Sequence, residues 1–110
     1  MADNVLVNSL KNSAPDTVEN FYTSPPTGQG TTITSFTAAN NTTSSVSYKG
    51  YIYSATGLAL DAVMPQKIVV RDRFYLGASV IGQFMQPGSS LRVESSEADS
   101  LSFRVTGTEL

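Results

Sequence analysis

Apolar and polar residues alternate with a period of two along most of this chain. The clearest example is the segment 46–54, where Val46 and Ile52 share one face while Tyr51 and Tyr53 share the other. A period of two is typical of a β-strand with one buried face. We therefore expect Val46 and Ile52 to point into a core and the two tyrosines to point outward.

The same alternation recurs in other short segments. The predicted strands cover residues 18–23, 31–39, 46–54, 67–72, 91–95 and 101–106. In the second of these, Ile33 and Phe36 have opposite parity, and a β-bulge between them would turn both into the core. The proline-glycine segments 25–30 and 87–88 predict tight turns, because proline presets one backbone angle and glycine tolerates the next.

This pattern predicts an all-β domain over residues 18–110. About 7–8 short strands, with turn signals roughly every 8–12 residues and no segment of helical period, favour an antiparallel β-sandwich that is Ig-like or jelly-roll-like. We expect a group of bulky residues late in the chain to contribute to its core, namely Phe74, Leu76, Val80 and Ile81.

Residues 1–17 differ from the rest of the chain. They are polar and carry one short apolar patch, formed by Val5, Leu6, Val7 and Leu10. Such a patch alone cannot offset the entropy lost on ordering the segment. We expect an extended N-terminal arm that is either flexible or exchanged with a neighbour. In an exchange, the patch would add a strand to the edge of the neighbour's sheet.

Composition excludes several kinds of chemistry. The chain has no cysteine and no histidine, so disulfides, thiolate nucleophiles, histidine triads and histidine- or cysteine-based zinc sites are absent. Its net charge of −2, with seven scattered cations, provides no basic field for nucleic acid or an anionic membrane. No apolar run approaches the roughly 20 residues that span a bilayer. We predict no enzymatic activity, no cofactor, and no nucleic-acid or membrane partner.

One acidic cluster is the candidate for metal binding or catalysis. Glu94, Glu97 and Asp99 could offer oxygen ligands to calcium, but they lack the ligand spacing and the glycine of a calcium loop. A glycosidase would need two carboxylates across a sugar cleft. We interpret the cluster as part of a solvated hairpin loop.

Two groups of side chains are candidates for a protein interface. Tyr51 and Tyr53 lie beside Lys49, and tyrosine is favoured at interfaces, although the pair could also pack under a loop of the same chain. Arg71 and Arg73 share a face of their strand. They could clamp an anion, but we favour a structural or subunit-interface role.

Several segments taken together resemble a known group of proteins. They are the turn PPTGQG before a Thr-Ile strand, the loop ANNTT, and the segments VSYKGYIY, PGSSLRVE and SFRVTGTEL. These segments resemble the small β-sandwich structural proteins of tailed-bacteriophage virions, which decorate capsids or lie at the neck, collar or tail. The resemblance covers residues 18–110, and its motifs belong to the fold rather than to an active site.

The resemblance implies a non-enzymatic virion protein. Such a protein would dock on the capsid or the neck-tail assembly through its β surface and N-terminal arm, as a homo-oligomer with other virion proteins as partners. The alternative is a carbohydrate- or receptor-binding module, because sandwiches commonly carry lectin-like sites on their loops. Tyr51 and Tyr53 are the aromatic platform that a sugar site would use. The residues leave both hypotheses open.

Overall fold

A computed structural model describes residues 3–56, 60–63, 67–69, 73–76 and 81–110. Within these ranges every regular element is a β-strand, and all pairings are antiparallel. The strands are β1 (Asn4–Leu10), β2 (Glu19–Thr23), β3 (Thr31–Asn40), β4 (Val46–Tyr53), β5 (Leu60–Val63), β6 (Lys67–Val69), β7 (Arg73–Leu76), β8 (Phe84–Met85), β9 (Ser90–Ser95) and β10 (Leu101–Glu109). No helix in this part of the chain could cross a membrane.

The strands form two five-stranded sheets that pack as a sandwich. Sheet A has the order β1-β10-β3-β7, with β8 also paired to β3. Sheet B has the order β2-β9-β4-β5, with β6 also paired to β4. The predicted antiparallel β-sandwich is therefore confirmed.

The core lies between the sheets and is centred on Phe103 of β10. Its ring lies 5.5 Å from Phe21, 5.9 Å from Phe36 and 5.3 Å from Tyr48, measured between ring centroids. Phe36, Tyr48 and Phe103 are each at most 1% exposed. This aromatic cluster joins four strands, two from each sheet, because β3 and β10 belong to sheet A while β2 and β4 belong to sheet B.

The alternation in β3 and β4 places side chains as the sequence predicts. In β4, Val46 and Ile52 are buried while Tyr51 and Tyr53 are half-buried on the opposite face. In β3, the register against β10 shifts by one residue between Ser35 and Ile33, so both Ile33 and Phe36 are fully buried. The predicted bulge is present.

The expectation that Ile81 belongs to the core is wrong. Ile81 is 39% exposed and lies in a turn with Gly82, whose φ of 86° lets the chain reverse there. Alternation cannot identify this exposure, because a turn residue has no strand face. Val80 and the side chains of Phe74 and Leu76 lie outside the described part of the structure.

The apolar patch near the N-terminus forms the edge strand β1. It pairs with β10 of the same chain, and Val7 is 1% exposed in the core while Leu6 packs partly against it. Val5 and Leu10 remain 46% and 44% exposed. The predicted extended arm is thus not confirmed. The segment could not offset its ordering entropy alone, but β10 provides a strand edge with which it pairs. Exchange of this strand with a neighbour stays a prediction.

A buried asparagine fixes the connection between β1 and β2. Asn12 is fully buried, and its Nδ2 donates to the Val93 carbonyl at 2.8 Å and to Glu19 Oε1 at 2.9 Å. Ser95 Oγ donates in turn to Asn12 Oδ1 at 3.1 Å. Hydrogen bonds from Ser13 and Asn12 hold the pKa of Glu19 below its ordinary value. The segment that follows β1 is therefore hydrogen-bonded to β9 of sheet B through Asn12.

Candidate functional site

The outward side of sheet B brings together the predicted tyrosine pair and two charged residues of the neighbouring strand. We call this surface the tyrosine face, formed by Lys49, Tyr51 and Tyr53 of β4 with Arg92 and Glu94 of β9. Lys49 lies directly opposite Glu94, and Tyr51 lies directly opposite Arg92. All five side chains are half-buried.

Arg92 packs against the ring of Tyr53. The guanidinium carbon lies 4.5 Å from the ring centroid, a distance at which the cation is attracted by the ring's quadrupole. Arg92 Nε also donates to Ser90 Oγ at 3.0 Å. The rings of Tyr51 and Tyr53 lie 6.1 Å apart at 58° to one another. These contacts hold the planar groups in fixed positions before any partner binds.

Tyr51 and Glu94 are joined by a hydrogen bond. The Tyr51 hydroxyl donates to Glu94 Oε1. Burial, together with this hydrogen bond and the negative charge of Glu94, raises the pKa of Tyr51 to about 12. The raised pKa keeps the Tyr51 hydroxyl protonated even at moderately alkaline pH, so it goes on donating to Glu94 and holds that side chain on the tyrosine face.

The sequence left two interpretations of the tyrosine pair, a packing role under a loop and a contact surface. Among the described residues, both rings contact other members of the tyrosine face. Ile68 extends this face, because it lies opposite Ser47 and is 69% exposed. The arrangement favours a contact surface with an apolar end.

The other predicted interface residues lie apart from the tyrosine face. Val5, Val7 and Leu10 belong to β1 at the edge of sheet A. Arg73 is exposed at the start of β7, also in sheet A. Arg71 lies outside the described residues, so the arginine pair has no described geometry.

The acidic residues divide between two environments. Glu94 lies on the tyrosine face, whereas Glu97 and Asp99 are exposed in the turn before β10. The Asp99 backbone N–H donates to the Asn12 carbonyl at 2.8 Å, and the Glu97 carbonyl accepts from Ser100 Oγ at 2.7 Å. Across the described ranges, no three carboxylates come close enough together to hold a metal ion.

Sequence reasoning missed the partnership of Arg92 with Tyr53. Alternation in β9 does predict that Arg92 points outward, on the other face of the strand from Leu91 and Val93. It does not show that β9 lies next to β4, because strand order is not encoded in the period of either strand. Only a pairing signal between the two segments could have found this contact.

Comparisons with known proteins add no assignment. No protein-family model, curated protein or solved structure matches this chain.

Proposed function

We propose that this chain is a non-enzymatic structural protein of a tailed-phage virion. It docks on the capsid or the neck-tail assembly through the tyrosine face and through its N-terminal strand. The observation that carries the docking proposal is the Tyr51, Tyr53 and Arg92 cluster on an outward sheet face. The phage assignment rests on the resemblance of residues 18–110 to small virion proteins.

The composition of the tyrosine face supports docking. Tyrosine and arginine are enriched among the residues that dominate binding energy at protein interfaces. The mutual packing of Tyr53 and Arg92 also orders both side chains beforehand, which reduces the entropy lost on association. Lys49 and Glu94 supply a charged rim of both signs, and rim charges of this kind favour a specific register with the partner.

A polar depression borders this rim. It has a volume of about 220 Å³ and is lined by residues that include Asp16, Lys49, Glu94 and Ser96. A polar side chain of a docking partner could occupy it without leaving its hydrogen-bonding groups unpaired, which would otherwise cost binding energy. The tyrosine face and this depression together form one continuous docking surface.

The N-terminal strand supports a homo-oligomer. Val7 fills the core, but the pairing of β1 with β10 has register shifts on both sides of it. Ser9 has a φ of 56°, which a residue with a side chain rarely adopts. Asn12 anchors the segment just beyond this point. A strand attached in this way can place the same residues against β10 of a neighbour, as in domain swapping.

We expect the docking surface to be required for incorporation into particles. In purified phage particles the unaltered chain will be present in fixed stoichiometry, measured by mass spectrometry. The variant Tyr51→Ala with Tyr53→Ala will reduce its occupancy at least about tenfold, because hot-spot truncations cost about 2 kcal/mol or more. Phe84→Ala is the control, since it removes a 45% exposed ring from sheet A. Particles that lack the unaltered chain would contradict the virion assignment, and undiminished occupancy of the double variant would contradict docking through the tyrosine face.

Strand exchange can be tested with an engineered disulfide. The chain has no cysteine, and Val5 lies directly opposite Thr106. Directly opposed Cβ atoms are about 4.5–5.5 Å apart, so the pair Val5→Cys with Thr106→Cys needs only a small shift to bond. We expect covalent oligomers on non-reducing gels after oxidation of the assembled protein. A covalently closed monomer alone would show that β1 stays on its own sheet. Each single-cysteine variant serves as the control.

A further inference from the structure

A polar pocket lies at the end of sheet B, beside the tyrosine face. Its volume is about 190 Å³. Three separate segments of the chain form it. The polar side chains that line it are Asn20 and Thr23 of β2, Ser54 and Thr56 after β4, and Ser90 and Arg92 of β9.

The proline-glycine corner before β9 closes one wall of this pocket. Gly88 has a φ of 81°, and a Cβ added to it would lie 3.1 Å from the Cβ of Ala55. Its backbone N–H donates to the Ser24 carbonyl at 3.0 Å, which fixes the corner against the end of β2. Glycine is thus needed both for the backbone conformation and for the close approach to the turn after β4.

Arg92 is the charged residue in the lining, and the remaining side chains are hydroxyls, one amide and one methyl group. In the described part of the structure its guanidinium contacts the Ser90 hydroxyl and the ring of Tyr53, neither of which carries a charge. Glu94, two residues along the same strand, instead accepts from Tyr51. Against these described neighbours only Nε donates a hydrogen bond. The rest of the guanidinium fork suits an anion, since arginine binds carboxylate and phosphate groups with paired hydrogen bonds.

We infer that this pocket binds a single sugar residue carrying a carboxylate or phosphate group. Arg92 binds the anionic group, and the surrounding hydroxyls with the Asn20 amide bind the sugar hydroxyls. The volume is below the roughly 300–1,000 Å³ of sites for drug-sized ligands, which limits the ligand to about one sugar ring. The pocket shares Arg92 with the tyrosine face, but sugar binding needs no docking partner and can be measured on the isolated protein.

The inference also changes the carbohydrate hypothesis drawn from the sequence. That hypothesis placed a sugar on a platform of Tyr51 and Tyr53. In the structure Arg92 lies over the Tyr53 ring, and that side of the ring is not open for stacking. The polar pocket lined by Ser90 and Arg92 replaces the tyrosine platform as the proposed sugar site.

The site can be tested by NMR titration of the isolated ¹⁵N-labelled protein. The probes are a galacturonic acid trimer, 3′-sialyllactose and glucose 6-phosphate, each compared with its uncharged counterpart (a galactose trimer, lactose and glucose). We expect at least one charged probe to shift the amide signals of Asn20, Gly88 and Ser90, and to bind at least about tenfold more tightly than its counterpart, since charge-assisted hydrogen bonds are the strong ones. The absence of such shifts with all three charged probes would overturn the inference, as would equal affinity for the charged and uncharged members.

Variants separate the pocket from nonspecific anion binding. Arg92→Gln will weaken binding of the charged probe at least about tenfold, and Asn20→Ala will weaken it while leaving the tyrosine face intact. Arg104→Gln is the matched control, because Arg104 is exposed on β10 in the other sheet. Unchanged affinity in Arg92→Gln would contradict the inference. Acetate or inorganic phosphate that binds as tightly as the sugar probes would show a bare anion site and remove the saccharide from the proposal.

Discussion

Replacing Phe103 with alanine will lower the free energy of unfolding by about 3–5 kcal/mol, the range for truncation of a buried phenylalanine. Phe103 is fully buried and contacts the rings of Phe21, Phe36 and Tyr48. Its removal leaves a cavity between the two sheets and takes away three aromatic contacts at once. Natural domains are stable by about 5–15 kcal/mol, so this loss is a large fraction of the total. Urea denaturation followed by circular dichroism measures it.

Phe84→Ala is the matched control for this prediction. It removes the same side chain from a position that is 45% exposed, where burial contributes less. We expect a smaller loss of stability than for Phe103→Ala. Equal losses for the two variants would contradict a core centred on Phe103.

Gly30→Ala is expected to have the second largest effect on stability. Gly30 has a φ of 111°, and an added Cβ would lie 2.3 Å from the Phe84 ring and 2.7 Å from the Met85 carbonyl oxygen. The new methyl group therefore meets both backbone strain and a steric clash, which together cost about 2–4 kcal/mol. Thermal and urea unfolding will both show the loss.

Gly82→Ala separates strain from clash. Gly82 also has a positive φ, of 86°, but no described residue lies within 4 Å of a Cβ added there. The Gly82→Ala variant should therefore lower the free energy of unfolding only by the backbone strain, about 1–2 kcal/mol. The double variant Gly30→Ala with Phe84→Ala should recover part of the loss, since the ring is removed while the Met85 oxygen remains. If Gly30→Ala and Gly82→Ala cost the same, the close approach of β8 to Gly30 would be contradicted.

These two sites also bear on the proposed functions. The tyrosine face is built on β4, whose inward residues Tyr48 and Ile52 pack in the core. A loss of core packing would therefore also loosen the surface that presents Tyr51 and Tyr53. For this reason the docking and pocket variants each keep the core intact, so that lost binding is not a consequence of lost folding.

Much of the fold was predictable because strand alternation is a local property. Ile33, Phe36 and Ile52 are buried as the pattern predicts, including the bulge that corrects the parity of the first two. The exposure of Ile81 was not predictable, because a residue at a turn has no alternating neighbours that determine its exposure. The candidate site was predictable in part. The sequence placed Tyr51 and Tyr53 outward but could not supply their neighbour Arg92.

By itself the sequence determined that this protein is an antiparallel β-sandwich, which faces of its strands are buried, and that histidine and cysteine chemistry is absent. The tertiary structure decided which strands are neighbours. It placed β1 on the edge of its own sheet, Arg92 over Tyr53, and Gly88 against Ala55. Each of these contacts joins segments that are distant along the chain, as when Asn12 binds the carbonyl of a residue 81 positions away. Periodicity describes one strand at a time, whereas a site on a sheet depends on the order in which strands pair.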